Sequence, residues 1–373
     1  MKVLYIGHYA DGTGWGNAAL HNIIAMNRIG IDVVPRRVSY KPEEAQSVPQ
    51  EIAELEQKSL YGVDVCVQHT LPTNYNYYSG RSKIRNICMY ETETNDFGYT
   101  QWHKYINMFK ECWVPNNDMV MDSFLSGVKK CKATVVNHCI DVDKYKNFVP
   151  QNVIAGLKDK NAYNFCYVGE LSKRKNVKAI LQAFHLEFGM HENVNLFLKL
   201  NMPGKSANET LQIASELNKY VTRGLKIRNK YKEPFVLCGH CDGNDLLSFM
   251  SQCHCFVCAS SGEAWCIPAL EGMALGLDLI YTKGTGLSEF AFSDAIAVNS
   301  TISPCADALD TLPEIYTGFE TWRNIDISRL QMAMRRAFYR KNSIDREKIK
   351  ERAFEFGYDR TGKQIMEALN DTK

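Results

Sequence analysis

The feature that most constrains the fold is a strand–loop–helix alternation that runs through the chain twice. KVLYIG at 2–7 is an apolar run ending in glycine, followed by a glycine-rich loop and a helical pattern in GTGWGNAALHNIIAMNRIG, and then by IDVVP. Such a β-loop-α-β opening belongs to a parallel sheet, because parallel neighbours need a long crossover and a helix makes one compactly. VDVCVQH at 63–69, IRNICMY at 84–90, CWVP at 112–115 and ATVVN at 133–137 read as further strands. VPQNVIAGLKDKNAY then shows no packing period and reads as a linker.

The alternation restarts after the linker. NFCYVGE, NVNLFLKL, PFVLCG, CHCFVCAS and DLIYTKG read as strands, separated by the helical stretches NVKAILQAFHLEF, ETLQIASELNKYVTRG, NDLLSFMSQ and PALEGMALG. Beyond residue 300 the pattern turns helical, with a last helix expected at about 361–370. A 373-residue chain that is 45% hydrophobic is expected to build more than one core. The expected class is α/β: two Rossmann-like, doubly wound domains with a cleft between them, where ligands meet the carboxyl ends of the strands.

Composition removes several alternatives. Charged residues make up 23% and the formal net charge is +2, unlike a disordered or strongly nucleic-acid-binding chain. MKVLYIGHY reads as a strand rather than a signal peptide, since its apolar run is short and no small-residue cleavage site follows. No run of 18 apolar residues occurs, so no transmembrane helix is expected. Thirteen cysteines, an odd number scattered through apparent strands and helices, point to free thiols in a reducing, cytoplasmic compartment.

Cys238, Cys241, Cys255 and Cys258 form C-x2-C-x13-C-x2-C, a spacing a zinc site can use. Against zinc, Cys255 and Cys258 fall in an apparent strand, where side chains three apart point to opposite faces. Buried or loop thiols are the expectation. The basic runs RGLKIRNKYK at 223–232 and Arg335, Arg336, Arg340 and Lys341 read as solvated faces, with a polyanionic partner as the alternative.

Chemistry concentrates in SSGEAWCIPALEG at 260–272. The preceding strand ends near Ser260 and Pro268 suits the first turn of a helix, so Glu263 lies in a loop at a strand's carboxyl end and Glu271 about one turn into the helix. Backbone N–H groups at a helix start suit an anion such as a diphosphate, and carboxylates grip sugar hydroxyls through charge-assisted hydrogen bonds. An acidic loop beside a helix acid favoured by the dipole is the plainer reading. YVGELSKRKNVKAIL places Arg174 and Lys175 after another strand that ends in glycine, where two cations suit a leaving diphosphate or are simply solvated.

These segments resemble one family. E-A-W-C-I-P-A-L-E resembles the E-x7-E motif of the retaining glycosyltransferases of the glycogen- and sucrose-synthase-like group, the GT4-like branch of the GT-B fold. YVGELSKRKNVKAILQAF resembles that group's phosphate-clamp segment, ATVVNHCIDVDKY its V-I-P-N-G-V-D segment, and GTGWGNAALHNIIAMNRIGIDV its first-domain loop and helix. The resemblance spans about residues 1–370. It implies a GT-B fold: 1–150 acceptor-binding, 151–352 nucleotide-sugar-binding, and a helical segment 353–373 crossing back to the first domain.

The resemblance implies roles for individual residues. Glu263 stands where the group contacts the donor sugar, Glu271 where it binds the ribose, and Lys175 at the clamp lysine. The clamp arginine's position holds Glu170, with Arg174 nearby as a replacement. Gly14 and Gly16 match the first-domain loop, and Trp265, Cys266 and Ile267 fall inside the donor motif, with Trp265 placed to stack on a base or to block an acceptor. A first-domain strand end is expected near the reaction centre, with His69, Glu91 and Glu93 as candidates. Ala264 and Cys266 replace two glycines of the usual motif, Cys139 another, and Asp278 stands where proline is common.

The implied reaction moves a hexosyl or pentosyl group from a UDP-, GDP- or ADP-linked sugar to a hydroxyl acceptor with retention, without a required metal or cofactor. The acceptor stays open among a glycan, a lipid, a small molecule and a modified nucleobase, and the oligomeric state is equally open. YNYYSGRSKIRN at 75–86 interleaves tyrosines with Arg81, Lys83 and Arg85, as a membrane, DNA or sugar-polymer contact can, or as an ordinary surface loop. Two rivals differ in class. An NAD(P)-dependent oxidoreductase shares Rossmann-like domains, but GTGWGNAA lacks a clean G-x-G-x-x-G. A catalytically inactive binding protein is opposed by the presence of Glu263, Glu271 and Lys175.

Overall fold

The computed structural model describes residues 1–39, 46–75, 83–150, 161–227, 231–239, 241, 243–306 and 316–371. The first half runs β1 (Lys2–Gly7), α1 (Gly14–Arg28), β2 (Asp32–Arg37), α2 (Gln50–Glu56), β3 (Val65–His69), β4 (Arg85–Met89), α3 (Trp102–Ile106), β5 (Glu111–Val114), α4 (Asn117–Leu125), β6 (Lys132–Val135) and α5 (Val142–Lys146). The second half runs β7 (Tyr163–Glu170), α6 (Val177–Glu187), β8 (Val194–Asn201), α7 (Ala207–Gly224), β9 (Phe235–Cys238), α8 (Gly243–Ser251), β10 (Cys255–Cys258), α9 (Ile267–Ala274), β11 (Asp278–Thr282) and β12 (Ile296–Val298). A ribbon of β13 (Ser300–Pro304) and β14 (Thr321–Ile325) precedes α10 (Ile327–Tyr339), α11 (Arg346–Phe354) and α12 (Tyr358–Asn370).

The strands form two six-stranded sheets, ordered β2-β1-β3-β4-β5-β6 and β12-β11-β10-β7-β8-β9. Every pairing in both is parallel. Strands β3, β10 and β11 are buried along their whole length, which accounts for their continuous apolar runs. The expected α/β class, with two doubly wound sheets, is what the chain adopts.

The C-terminal helix returns to the first sheet, as the resemblance implied. Ile365, Ala368 and Leu369 of α12 join the core built on β1 and α1. Burying an aliphatic side chain there is worth about 1.5–3 kcal/mol. His21 Nδ1 meets the Tyr358 hydroxyl at 2.7 Å, and Thr361 donates to the Asn137 carbonyl at 2.9 Å. Arg85 binds Glu111 and donates to the Leu369 and Ala368 carbonyls, so a cation closes the end of α12.

Three expectations need correction. The region after 300 is not simply helical, because β13 and β14 pair antiparallel first; their five-residue alternation was too short to register as a strand signal. Arg85 is not part of an open basic face, since it is committed to Glu111 and α12; Tyr75 is buried with its hydroxyl on the Met89 carbonyl, and residues 76–82 of the tyrosine-rich stretch lie outside the described residues. Arg335 and Arg340 of the basic cluster are paired internally, Arg335 with Glu187 and Glu192, Arg340 with Asp278. Of the other basic run, residues 228–230 lie outside the described residues.

The four-cysteine zinc spacing is excluded by strand order. Cys238 ends β9 at the sheet edge, with β8 and β7 between it and the β10 pair, Cys255 and Cys258. Three interstrand steps of about 4.8 Å separate these strands, far beyond a shared tetrahedral ion.

Candidate active site

Strand order creates the site. Connections run from β1 outward to β2 and then back to β3, and likewise from β7 toward β9 and back to β10. At such a reversal the loops leaving the two neighbouring strands diverge and leave a crevice. The first reversal presents the loop after Gly7 and the end of β3 at His69. The second presents the loop after Glu170 and the loop after Cys258. Arg174, Lys175 and Glu263 come from this second pair.

Lys175 Nζ donates to Glu263 Oε1 at 2.6 Å, and Arg174 lies 3.6 Å from Glu263 Oε2. Arg174 also donates to the Gly262 carbonyl at 2.8 Å, while its other nitrogen lies 3.4 Å from Glu93 Oε1. Burial by itself would raise the Glu263 carboxyl; the charges of Lys175 and Arg174 outweigh it and hold the group below its ordinary value. The Lys175 ammonium is correspondingly raised by Glu263 against its own burial. Two cations are thus stored beside one carboxylate at the ends of β7 and β10. Glu170, at the usual arginine position, remains at the end of β7 with its carbonyl accepting from the Tyr167 hydroxyl.

Helix α9 follows with Pro268 in its first turn. Glu271 lies one turn in and accepts from the Tyr145 hydroxyl of α5 at 2.7 Å. Burial raises its carboxyl. Ile267 opens the helix half-buried, and Cys266 before it takes a left-handed conformation, φ +77°. Trp265 does not present a free face for a base: its ring is buried 5.1 Å from Phe290, 5.5 Å from Phe356 and 5.8 Å from His138. A tryptophan flanked by apolar helix residues is drawn into the core by its area.

The first domain contributes a buried histidine–carboxylate cluster. His69 Nε2 lies 2.7 Å and His138 Nε2 3.0 Å from the same oxygen, Glu91 Oε1. His69 Nδ1 faces the Tyr5 hydroxyl at 2.7 Å. An ionised carboxylate only accepts, so both Nε2 atoms direct protons at it. Burial favours a neutral Glu91, but the two imidazoles win and hold it at about 2. His8, beside this cluster, is pushed down to about 4 by burial and then by His69. Trp15 stacks on His69 at 6.1 Å.

Of the sequence candidates, His69 and Glu91 therefore meet, whereas Glu93 points at Arg174 and the Tyr316 hydroxyl. His138 was missed; its place three residues before Asp141, in the segment just ahead of the linker, was the available signal. Gly16 lies where a Cβ would come within 2.8 Å of the His8 carbonyl, while Gly14 starts α1 with open space around it. The hydroxyl of Thr13 caps this helix through the Gly16 N–H.

The two halves are closed on each other. A Cβ on Gly262 would stand 1.8 Å from the Glu93 carbonyl oxygen, so only glycine permits the approach. Asn116 donates to the Ala264 carbonyl at 2.7 Å, and the Asn95 N–H to that of Thr321 at 2.7 Å. Between Glu93, Asn116, Asp122, Gly262, Glu263 and Arg323 there remains a cavity of about 20 Å³. That is room for about one water.

This architecture, two facing doubly wound sheets with a C-terminal helix crossing back, is the GT-B fold of glycosyltransferases. Residues 150–300, the segment that carries Arg174, Lys175, Glu263 and Glu271, match the family described as Glycosyl transferases group 1.

Solved structures share the whole fold at low identity. An E. coli trehalose-6-phosphate structure, described as bound with UDP-2-fluoro glucose, aligns with TM-score 0.69 and 10% identity over 100% of both chains. Sucrose-phosphate synthase from Thermosynechococcus elongatus aligns at 0.65 and 13%, covering 99% of this chain and 98% of that one. Anabaena HepE in complex with UDP-glucose aligns at 0.61 and 11% over 99% of each. No curated protein matches the chain at a significant level.

Proposed function

We propose that the protein is a retaining glycosyltransferase that moves a hexosyl or pentosyl group from a nucleotide-diphospho-sugar to a hydroxyl acceptor. The observation that carries this reading is the Arg174–Lys175–Glu263 cluster at the second strand reversal, one loop away from Glu271. Similarity to structures described with UDP, UDP-glucose and UDP-2-fluoro glucose favours a UDP-linked donor.

In this reading 151–352 binds the donor, 1–150 the acceptor, and 353–373 ties the second domain to the first. The diphosphate takes the place of the Glu263 carboxylate beside Lys175 and Arg174. As the bond from the anomeric carbon to the diphosphate oxygen stretches, these cations take up the charge that develops on the leaving oxygen. Losing one such group typically costs about 3 kcal/mol of barrier. Glu263, released, accepts from sugar hydroxyls, and Glu271, oriented by Tyr145, accepts from the ribose. The acceptor attacks the face the diphosphate leaves, and a phosphate oxygen receives its proton. The Glu91 cluster bounds the sugar from the first domain. Ligand pockets generally measure 300–1,000 Å³, so donor entry requires the halves to separate, and reclosure excludes water.

The test is hydrolysis and transfer across a panel of UDP-, GDP- and ADP-sugars, with calorimetry on each nucleotide diphosphate and on NADP. Saturable turnover of one donor, with the anomeric configuration kept in the product, supports the reading. Binding of a nucleotide sugar without turnover in the presence of any hydroxyl acceptor turns the protein into a binding module, and binding of NADP alone points to an oxidoreductase.

A further inference from the structure

We propose that Cys258, Cys266 and Glu263 form a site for a thiophilic divalent cation such as Zn²⁺, and that filling it withdraws Glu263 from Lys175. One ligand atom from each of these residues lies within 4.8 Å of the others. Two zinc–sulfur bonds of about 2.3 Å and one zinc–oxygen bond of about 2.0 Å, set tetrahedrally, need ligand atoms roughly 3.5–3.8 Å apart. The site is therefore preformed to within about an ångström, which side-chain rotation can supply.

The chain path explains the convergence. Cys258 ends β10 and Cys266 immediately precedes α9, and the intervening loop folds back so that both sulfurs flank the Glu263 carboxylate. Cys258 is buried, whereas Cys266 is partly exposed, which gives an ion a way in from that side. The Ser260 hydroxyl accepts from the Cys258 thiol at 3.4 Å.

Cys266 holds its place at a conformational cost. Its φ of +77° is one that a side chain adopts at roughly 1–2 kcal/mol and glycine adopts freely. Nothing in sugar transfer, as derived above, uses a thiol. Charge also balances: two thiolates and Glu263 offset the ion's two charges and part of Lys175 and Arg174.

Ligation through Glu263 Oε1, the oxygen that Lys175 meets at 2.6 Å, takes that partner from Lys175. Cation binding and the closed Lys175–Glu263 pair then exclude one another. This consequence for the donor rests on the transferase reading; the coordination does not.

The experiment titrates Zn²⁺ into the full chain by calorimetry in two buffers of different ionisation enthalpy, with Co²⁺ absorption as a second readout. Expected are one tight cation per chain, proton release and cobalt–thiolate absorption. Cys266→Gly, which suits the positive φ and so should fold as well as the parent, should weaken that binding at least tenfold. Cys238→Ser should leave it unchanged. Equal zinc affinity in the parent and Cys266→Gly overturns the site, as does loss of binding in Cys238→Ser. Zinc-loaded, dialysed protein should bind UDP several-fold more tightly than the metal-free chain, because Glu263 no longer competes for Lys175. Unchanged or weaker UDP affinity with intact cation binding overturns the coupling, while a metal-free chain that binds no nucleotide sugar overturns the transferase reading instead.

Discussion

Lys175 Nζ lies 2.6 Å from Glu263 Oε1 across the reversal between β7 and β10, so the two groups assigned to leaving diphosphate and donor sugar neutralise each other in the closed chain. Both are largely buried. A carboxylate held this way stays ionised and is displaced only by another anion in the same place. The pair makes the first prediction. Glu263→Gln keeps the shape and one acceptor oxygen but removes the charge, leaving two buried cations less compensated. Binding of bare nucleotide diphosphate should stay the same or tighten slightly, while sugar transfer falls about tenfold to a thousandfold. Parallel calorimetry and transfer rates decide; normal transfer with weakened nucleotide binding would reverse the roles given to the two glutamates.

Arg174 and Lys175 should act on the leaving group. Neutralising either is expected to lower kcat more than it raises the acceptor KM. Arg174 is also anchored to the Gly262 carbonyl and Glu93, so Arg174→Ala should additionally loosen the contact between the halves. Steady-state kinetics of both variants check this, and full turnover in Arg174→Ala alone would remove Arg174 from the clamp.

Glu271 is positioned by Tyr145, whose hydroxyl donates to it at 2.7 Å. Glu271→Ala should weaken both the nucleotide diphosphate and the full donor several-fold. Tyr145→Phe should weaken them less, by about the 0.5–1.5 kcal/mol of one hydrogen bond. Calorimetry on the two variants tests the order of effects, and unchanged affinity in Glu271→Ala would exclude it from the site.

The cluster around Glu91 should matter for stability as well as for the site. Glu91→Gln keeps the volume but turns an ionised acceptor, served by His69 and His138, into an amide. Removing one member of a buried charged network typically costs about 3–5 kcal/mol. A urea midpoint unchanged from the parent would show the network to be dispensable.

Acid should destabilise the fold before the carboxylates titrate generally. His8, His21 and His254 are each pushed down to about 4, in each case first by burial. Between the unfolded value of about 6.5 and the folded value, the unfolded chain binds more protons, so this contribution is complete above pH 6.5 and is lost as pH falls toward 4. Asp122, raised by burial to about 6, and Glu271 and Asp278, also raised by burial, work in the opposite direction over the lower part of the range. Thermal midpoints should therefore fall steadily between about pH 7 and pH 4. A midpoint that holds or rises over that interval would contradict the burial of these histidines.

The strands and most crossover helices were legible because periodicity is local: an apolar run between glycines such as KVLYIG, or IPALEGMA after a buried strand, carries its own conformation. Arg174, Lys175, Glu263 and Glu271 were legible for the same reason, since each stands at a fixed offset from a strand end or helix start. Helices α2, α3, α4, α5 and α11, strand β12 and the β13–β14 ribbon were not, being short and weakly patterned. Other features depend on strand order, which no local pattern encodes. His138 reaches Glu91 only because the chain leaving β6 passes the end of β4, two places away in the sheet. Trp265 left the ligand-facing set because Phe290 and Phe356 close over it, and Arg85 left the basic face because α12 returns to it. The sequence by itself determined which residues stand at strand ends with charge to offer. Only the tertiary structure decided which of them pair, because a buried charge takes whichever partner the strand order brings within hydrogen-bond reach.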